Sequence, residues 1–252
     1  MKYNWLYFLL ISQLLISCGS LKNSYQYDIV NMTGTIIEMN KEQGVNQDMQ
    51  AFVDKYKGTL DKEMNEVIGE SSEFMQKGRP ESLLTNFTSD VMRKYGDKHF
   101  LRGADVALMN VNGHRASMPK GKITLGNLYE IYSFDNAITF LELKGEDLTK
   151  IFEAYARIGG AGISSNAHLA VKNRELISAT LDGKIIDNSK IYNIVTIDYL
   201  ADGNDNMNAL RNSVKIDHTG ITLRDIMINY VREQTAKDKL ITSKIDGRIT
   251  IE

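Results

Sequence analysis

The side chains best suited to binding a ligand lie in two short polar segments in the middle of the chain. The first segment contains Asn110, Asn112 and Arg115, and the second contains Phe134 and Asn136. An aromatic ring offers a stacking face, amides provide directional hydrogen bonds, and a guanidinium matches the oxygen acceptors of an anion. If the two segments face each other, they frame a pocket for a flat, partly anionic molecule.

Apolar runs precede both polar segments and predict the elements that position them. Val106–Met109 leads into the first segment and Leu128–Tyr132 leads into the second, before residues 138–143 continue as a strand. Because short apolar runs rich in aliphatic side chains are typical of buried strands, we interpret both runs as strands. The binding residues would then lie on loops at two strand ends, where functional side chains are commonly found.

A second basic segment precedes a helix predicted over residues 82–92. Lys77 and Arg79 lie just before this helix, and Pro80 suits its first turn. Helix N-termini supported by cations attract carboxylates and phosphates. The sequence leaves open which of the two cations takes this role, and a solvated charge pair is the alternative.

Periodicity predicts the remaining helices and strands. Helices are predicted over residues 48–68, 145–158 and 222–231, and strands over 169–171, 176–181, 185–186, 192–197 and 244–251. The first helix has Asp48 as its predicted N-cap and carries a methionine and aromatic stripe, which we interpret as core packing. An interruption at Gly58 is the alternative for this helix.

Composition limits the possible partners. The 252-residue chain has 30 basic and 32 acidic residues, a net charge of −2 and one cysteine. So small a net charge gives no general attraction to nucleic acid or to an anionic membrane, and anion recognition must come from local arginines. A single cysteine cannot form an internal disulfide.

The N-terminus predicts export and lipid anchoring. Residues 1–17 contain one lysine and an apolar core that is short for a membrane span, so we predict a signal peptide. The Leu-x-Ser-Cys arrangement that follows resembles a bacterial lipobox, which predicts acylation of Cys18, with residues 18–27 as a tether. The expected location is the bacterial cell envelope, anchored by lipid. A plain signal peptide is the alternative.

Four motifs, in this order, resemble the substrate-specificity (C-terminal) domain of secreted and periplasmic 5'-nucleotidases. They are NVNGHR at 110–115, SFDN at 133–136, the glycine pair at 159–160 and DYLADGND at 198–205. The resemblance runs from about residue 60 to the C-terminus. Departures from the family pattern are Asn112, His114, Ser133, Asn204 and Asn206. The resemblance implies an α+β domain with mixed β-sheets layered with helices, over residues 28–252, with 28–70 as an N-terminal extension.

The resemblance also implies how the ligand is held. Phe134 and Tyr199 would sandwich a nucleobase, Asn136 would hydrogen-bond the edge of the base, and Asp205 would accept the ribose hydroxyls. Tyrosine replaces the family's phenylalanine at position 199 but keeps the stacking face.

The anionic end of the ligand has its own implied partners. Arg115, with Asn110 nearby, would grip the ribose or phosphate, and Lys77 or Arg79 would supply a second cation. The backbone at Gly159 would let the chain approach the base. Each of these positions also has a purely structural interpretation as a turn or core residue.

No catalytic residue is assigned. The family's hydrolytic domain holds two metal ions through dense Asp and His clusters, whereas this chain has four histidines and no such motif. We therefore expect no significant hydrolysis by this chain alone, no cofactor in it, and divalent metals in a separate metallophosphoesterase. Three hypotheses remain: the specificity subunit of a split nucleotidase, a stand-alone nucleoside- or nucleotide-binding lipoprotein, and a structural envelope protein.

Overall fold

The computed structural model describes Gly34 and residues 44–252. The predicted signal peptide, Cys18, the tether and most of the N-terminal extension lie outside these residues. Residues 48–252 form one compact unit. Within the described part of the chain, every helix is too short or too polar to cross a membrane.

Six helices and eleven strands make up this part of the chain. In order they are α1 (Gln47–Met64), β1 (Val67–Ser71), α2 (Leu83–Gly96), β2 (Val106–Met109), β3 (Gly121–Thr124), α3 (Leu125–Ile131), β4 (Ala137–Lys144), α4 (Gly145–Arg157), β5 (Gly162–Ile163), β6 (Ala167–Lys172), β7 (Glu175–Leu181), β8 (Lys184–Ile185), β9 (Ile191–Ile197), α5 (Asp198–Ala201), β10 (Lys215–Thr222), α6 (Leu223–Thr235) and β11 (Ile249–Ile251). Two 3-10 turns, Asn204–Asn206 and Asn208–Asn212, lie between α5 and β10. The mixture confirms the predicted α+β class.

The central sheet has the strand order β10-β4-β9-β2-β5. β2 and β9 are parallel neighbours, while β4 pairs antiparallel with β9, with Ile138 opposite Ile197. Both β2 and β9 are buried over nearly their whole length, which explains why their sequences are continuous apolar runs. This topology brings the carboxyl ends of β2 and β9 and the start of β4 to the same edge of the sheet.

The second sheet has the order β11-β6-β7-β8. Its strands β6, β7 and β8 are consecutive in the chain and adjacent in the sheet, so they form hairpins. Asp182 and Gly183 connect β7 to β8 with φ angles of 49° and 74°. Two consecutive left-handed residues match the twist of a tight hairpin, which is why an Asp-Gly pair is found there. A two-stranded sheet of β1 and β3 completes the β-structure of the described residues.

Helix α2 begins at Leu83, three residues after Pro80, which was predicted to lie in its first turn. Ser82 is the N-cap, and a capping box joins it to Thr85 through reciprocal side-chain and backbone hydrogen bonds. Pro80 therefore precedes the helix and does not occupy its first turn. The capping box fixes where the chain turns from the basic segment into α2.

The core-packing interpretation of the first helix is wrong. α1 runs without interruption through Gly58, and none of its residues is buried. Phe52, Tyr56 and Leu60 are 61%, 56% and 54% exposed. Helical periodicity identified the helix, but the helix ends at Met64, and residues 67–68 of the predicted range begin strand β1. Periodicity also cannot show whether a neighbouring element covers the apolar face.

Two strand predictions also need correction. Leu128–Tyr132 is not a strand, because residues 125–131 form helix α3 with a capping box between Thr124 and Asn127. The predicted closing strand over 244–251 shortens to β11, and the residues before it form a loop around the buried Arg248. A short apolar run fits a buried helix as well as a strand, so the periodicity of 128–132 was ambiguous.

Candidate functional site

Three elements of the central sheet bring the polar segments to one cavity. Asn110 follows β2, Asn136 precedes β4 and Tyr199 lies on α5, directly after β9. They line a cavity of about 300 Å³ together with Asn112, Gly113, Arg115, Phe134 and Asp205. We call this cavity, with its eight lining residues, the aromatic slot. All of them except Gly113 carry polar or aromatic side chains, which can hydrogen-bond to a ligand or stack on it.

The two rings and the guanidinium of the slot remain accessible. Phe134 and Tyr199 are 48% and 41% exposed, so a ligand in the slot can reach both rings. The guanidinium carbon of Arg115 lies 5.6 Å from the centre of the Phe134 ring. Within the described residues, no carboxylate forms an ion pair with Arg115, so its charge is available to an anion.

Asp205 joins the two sides of the slot. Its Oδ2 accepts a 2.7 Å hydrogen bond from the Asn110 amide, and its Oδ1 accepts a 3.1 Å hydrogen bond from the Tyr199 hydroxyl. The bond to the carboxylate and its negative charge raise the pKa of Tyr199. The Tyr199 hydroxyl therefore keeps its proton at neutral pH and acts as a donor.

A smaller side cavity distinguishes the two candidate cations. It has a volume of about 160 Å³, shares Asn110, Asn112 and Asp205 with the slot, and is also lined by Arg79. The ammonium of Lys77 instead donates a 2.7 Å hydrogen bond to the backbone oxygen of His114, and Lys77 lines neither cavity. Arg79 thus lines the side cavity, whereas Lys77 contacts the backbone of the loop that carries Arg115.

The glycine pair after α4 contributes to the side cavity indirectly. Gly159 lines neither cavity, although Ile158 and Ala161 line the side cavity. Gly160 has a φ of 106°, and a Cβ atom there would lie 2.2 Å from the backbone oxygen of Pro80. Only glycine permits both this conformation and this contact, so Gly160 lets α4 pack beside the segment that carries Arg79.

Arg224 is a residue of the site region that sequence reasoning missed. From α6 it donates a 2.9 Å hydrogen bond to the backbone oxygen of Tyr132, pairs with Asp135, and lies 4.4 Å from the ring centre of Tyr129. These contacts hold the loop that carries Phe134 on both sides of that residue. Nothing in the sequence links Arg224 to this loop, because the two are far apart along the chain.

A buried polar cluster supports the loop that carries Arg115. His114 is fully buried, with Nε2 2.8 Å from the Thr88 hydroxyl, which in turn lies 2.8 Å from the Tyr132 hydroxyl. Burial lowers the pKa of His114 to about 4, and the positive charge of Lys77 acts in the same direction, while the hydrogen bond with Val111 opposes them. His114 is therefore neutral at pH 7.

This pKa predicts a loss of stability in mild acid. The folded pKa of about 4 lies below the ordinary histidine value of 6.5, so the contribution of His114 is present above pH 6.5 and is lost as the pH falls towards 4. The loss is roughly 3 kcal/mol, since one pKa unit corresponds to about 1.4 kcal/mol. Urea unfolding between pH 7 and pH 4 measures it.

The variant His114→Gln isolates this contribution. We expect its free energy of unfolding to fall less steeply between pH 7 and pH 4 than that of the natural chain. His168→Gln, which makes the same exchange at an exposed histidine, serves as the matched control. Parallel pH profiles for the natural chain and His114→Gln would contradict the assignment.

The described residues contain no apparent centre for metal chemistry. Within them, no group of three or more His, Cys, Asp or Glu side chains is placed to hold a metal ion. The arrangement of the slot is instead suited to holding a planar group between or beside two rings, with hydrogen-bonding amides and a carboxylate at its edge and guanidinium groups near an anionic end.

Comparison with known proteins gives one family match. The family model of the 5'-nucleotidase C-terminal domain matches residues 59–212. Apyrase of Tabanus yao is 27% identical over 215 residues, which cover 74% of this chain and 38% of the apyrase. Protein UshA of Escherichia coli K12 is 22% identical over 199 residues, which cover 77% of this chain and 36% of UshA.

Solved structures share the fold. The 5'-nucleotidase precursor from Thermus thermophilus has a TM-score of 0.70 at 23% identity, over 82% of this chain and 43% of the other. NAD nucleotidase from Haemophilus influenzae has a TM-score of 0.62 at 17% identity, over 82% of this chain and 41% of the other. This chain thus spans less than half the length of these relatives.

Proposed function

Since this chain belongs to the 5'-nucleotidase C-terminal domain family, we propose that its aromatic slot binds a nucleotide or nucleoside. The single observation that carries the proposal is the shared cavity of Phe134, Tyr199, Arg115 and Asp205. A base is flat and stacks on aromatic rings, a sugar offers hydroxyl donors, and a phosphate seeks guanidinium groups. The cavity presents a partner for each of these three parts.

The proposed ligand lies with its base beside Phe134 and Tyr199 and with Asn136 at the edge of the base. Asp205 faces the sugar, and Arg115 faces the sugar or phosphate. Arg79 provides a second positive charge through the side cavity, which supports an anionic ligand over a neutral one. Asn110 holds Asp205 in place through its 2.7 Å hydrogen bond.

We further propose that the chain is the specificity subunit of a split 5'-nucleotidase of the bacterial cell envelope. A metallophosphoesterase on another polypeptide would carry the divalent metals and break the phosphate ester. The family match supports the substrate-binding role of this chain in such a pair. The alternative is a stand-alone nucleotide-binding lipoprotein.

An assay with two proteins separates these alternatives. AMP hydrolysis is measured with a candidate metallophosphoesterase of the same organism, alone and after addition of the full chain. We expect the added chain to raise the rate, and the Tyr199→Ala variant to raise it less. No increase over the phosphoesterase alone would eliminate the split enzyme, and calorimetric AMP binding would then favour the stand-alone protein.

The lipid anchor is a separate proposal. We expect Cys18 to be acylated in the exporting bacterium, which places the slot outside the cytoplasm. Labelled fatty acid should be incorporated into the natural chain and lost entirely in Cys18→Ser, because the Cys18 thiol is the attachment point of the lipid. Equal labelling of both proteins would exclude acylation at Cys18.

A further inference from the structure

A threonine outside the slot joins the two loops that carry its guanidinium and one of its rings. The hydroxyl of Thr88 lies 2.8 Å from Nε2 of His114, the residue directly before Arg115. The same hydroxyl lies 2.8 Å from the hydroxyl of Tyr132, which is close to Phe134 in the next loop. Thr88 is on α2 and lines neither the slot nor the side cavity. It therefore connects the two loops from the core, without contacting the ligand site.

The connection is buried, and its hydrogen bonds are within the capacity of the groups that make it. Thr88 and His114 have no exposed surface, and Tyr132 is 2% exposed. The Thr88 hydroxyl also donates a 2.9 Å hydrogen bond to the backbone oxygen of Leu84, and a hydroxyl can donate one bond and accept two. Within the described residues, Thr88 is the only hydrogen-bond partner of the Tyr132 hydroxyl. Breaking the connection would leave that buried hydroxyl without a partner, which costs free energy.

A second contact joins the same two loops through the backbone. The N–H of Arg115 donates a 2.9 Å hydrogen bond to the backbone oxygen of Ile131, next to Tyr132. One hydrogen bond between two loops allows them to rotate about it, whereas a second link away from it removes that rotation. Thr88 supplies this second link. His114, to which Thr88 is bonded, is one of the positions at which this chain departs from the family pattern.

We propose that Thr88 is a positioning residue of the slot, which fixes Arg115 relative to the Phe134 ring so that one ligand contacts both. The guanidinium carbon lies 5.6 Å from the centre of that ring. A ligand that stacks on the ring and pairs its anion with the guanidinium contacts both loops at once, so its affinity depends on their being fixed before it binds. A ligand without the anion depends on this less. The inference rests on the proposed nucleotide binding.

The preference for AMP over adenosine tests this role. Thr88→Val keeps the shape of the side chain and removes its hydroxyl. We expect its dissociation constant to rise by roughly tenfold for AMP and by less than about threefold for adenosine, because only AMP carries the anion that pairs with Arg115. Calorimetry with the full chain measures both constants. Thr88→Ser keeps the hydroxyl and should retain the natural preference.

A second variant and a matched control accompany Thr88→Val. Tyr132→Phe leaves the contact between Thr88 and His114 in place, so it is a milder change, and it decides the proposal if Thr88→Val does not fold. Its preference for AMP should also fall. Thr139→Val is the control, because the buried Thr139 hydroxyl lies 3.0 Å from Nδ1 of the His218 ring and lines neither cavity. This control should retain the natural preference.

The outcomes distinguish this inference from the proposed function. If the natural chain binds neither AMP nor adenosine, the proposed function fails and the inference fails with it. If it binds both equally well, Arg115 does not hold the phosphate and the positioning role is overturned. If Tyr132→Phe and a folded Thr88→Val weaken both ligands by the same factor, or weaken neither, nucleotide binding stands and the role of Thr88 is overturned.

Discussion

The variants Phe134→Ala and Tyr199→Ala are each expected to bind AMP between about 5-fold and about 150-fold more weakly than the natural chain, because stacking on an aromatic side chain contributes about 1–3 kcal/mol per base. Both rings line the slot and are about half exposed, so their removal should change affinity more than stability. Calorimetric titration with AMP measures the effect.

The matched control for ring removal is Phe74→Ala. Phe74 is 55% exposed, similar to the two slot aromatics, but it does not line the slot or the side cavity. We expect this variant to retain the natural affinity for AMP. If Phe134→Ala and Tyr199→Ala also retain it, the rings do not form a base-binding site and the proposed function loses its main support.

The variant Arg248→Met is expected to lower the free energy of unfolding by about 3 kcal/mol, because it leaves buried or half-buried carboxylates without their partner. Arg248 is fully buried and donates two hydrogen bonds to Asp90 at 3.1 Å, two to Asp246 at 2.8 and 2.9 Å, and one to the backbone oxygen of Ile163 at 2.7 Å. These contacts join the residues before β11 to α2 and β5. Urea unfolding at pH 7 measures the loss.

Two further variants test whether the loss of stability in Arg248→Met has an electrostatic cause. Arg157→Met changes an arginine whose side chain is 63% exposed and whose partner lies 3.9 Å away, so its effect should stay within about 0.5 kcal/mol. Adding Asp246→Asn to Arg248→Met removes one uncompensated charge and should restore part of the stability. A single variant as stable as the natural chain, or a double variant less stable than the single, would contradict the electrostatic role of Arg248.

Prediction from the sequence was most accurate where the apolar residues repeated with a clear helical or strand period and turn or capping residues marked both ends of the element. Residues 145–158 correspond to α4 and its C-cap, and residues 192–197 correspond to β9. It was wrong for residues 128–132, where a short apolar run fitted either a helix or a strand, and for the burial of α1. Strands β1, β3, β5 and β10 were not predicted. β3 and β10 contain many polar residues and give no apolar alternation, and β5 has only two residues.

By itself, the sequence determined which residue types could contact a ligand and which family pattern they follow. The tertiary structure decided which of them meet, since the parallel pairing of β2 with β9 and the antiparallel pairing of β4 place Asn110, Tyr199 and Asn136 at one sheet edge. The tertiary structure also shows that Arg79 lines the side cavity and Lys77 does not, and it shows the contacts of Asp205, Arg224 and Arg248. Those contacts join residues far apart along the chain, and local periodicity carries no information about such pairs.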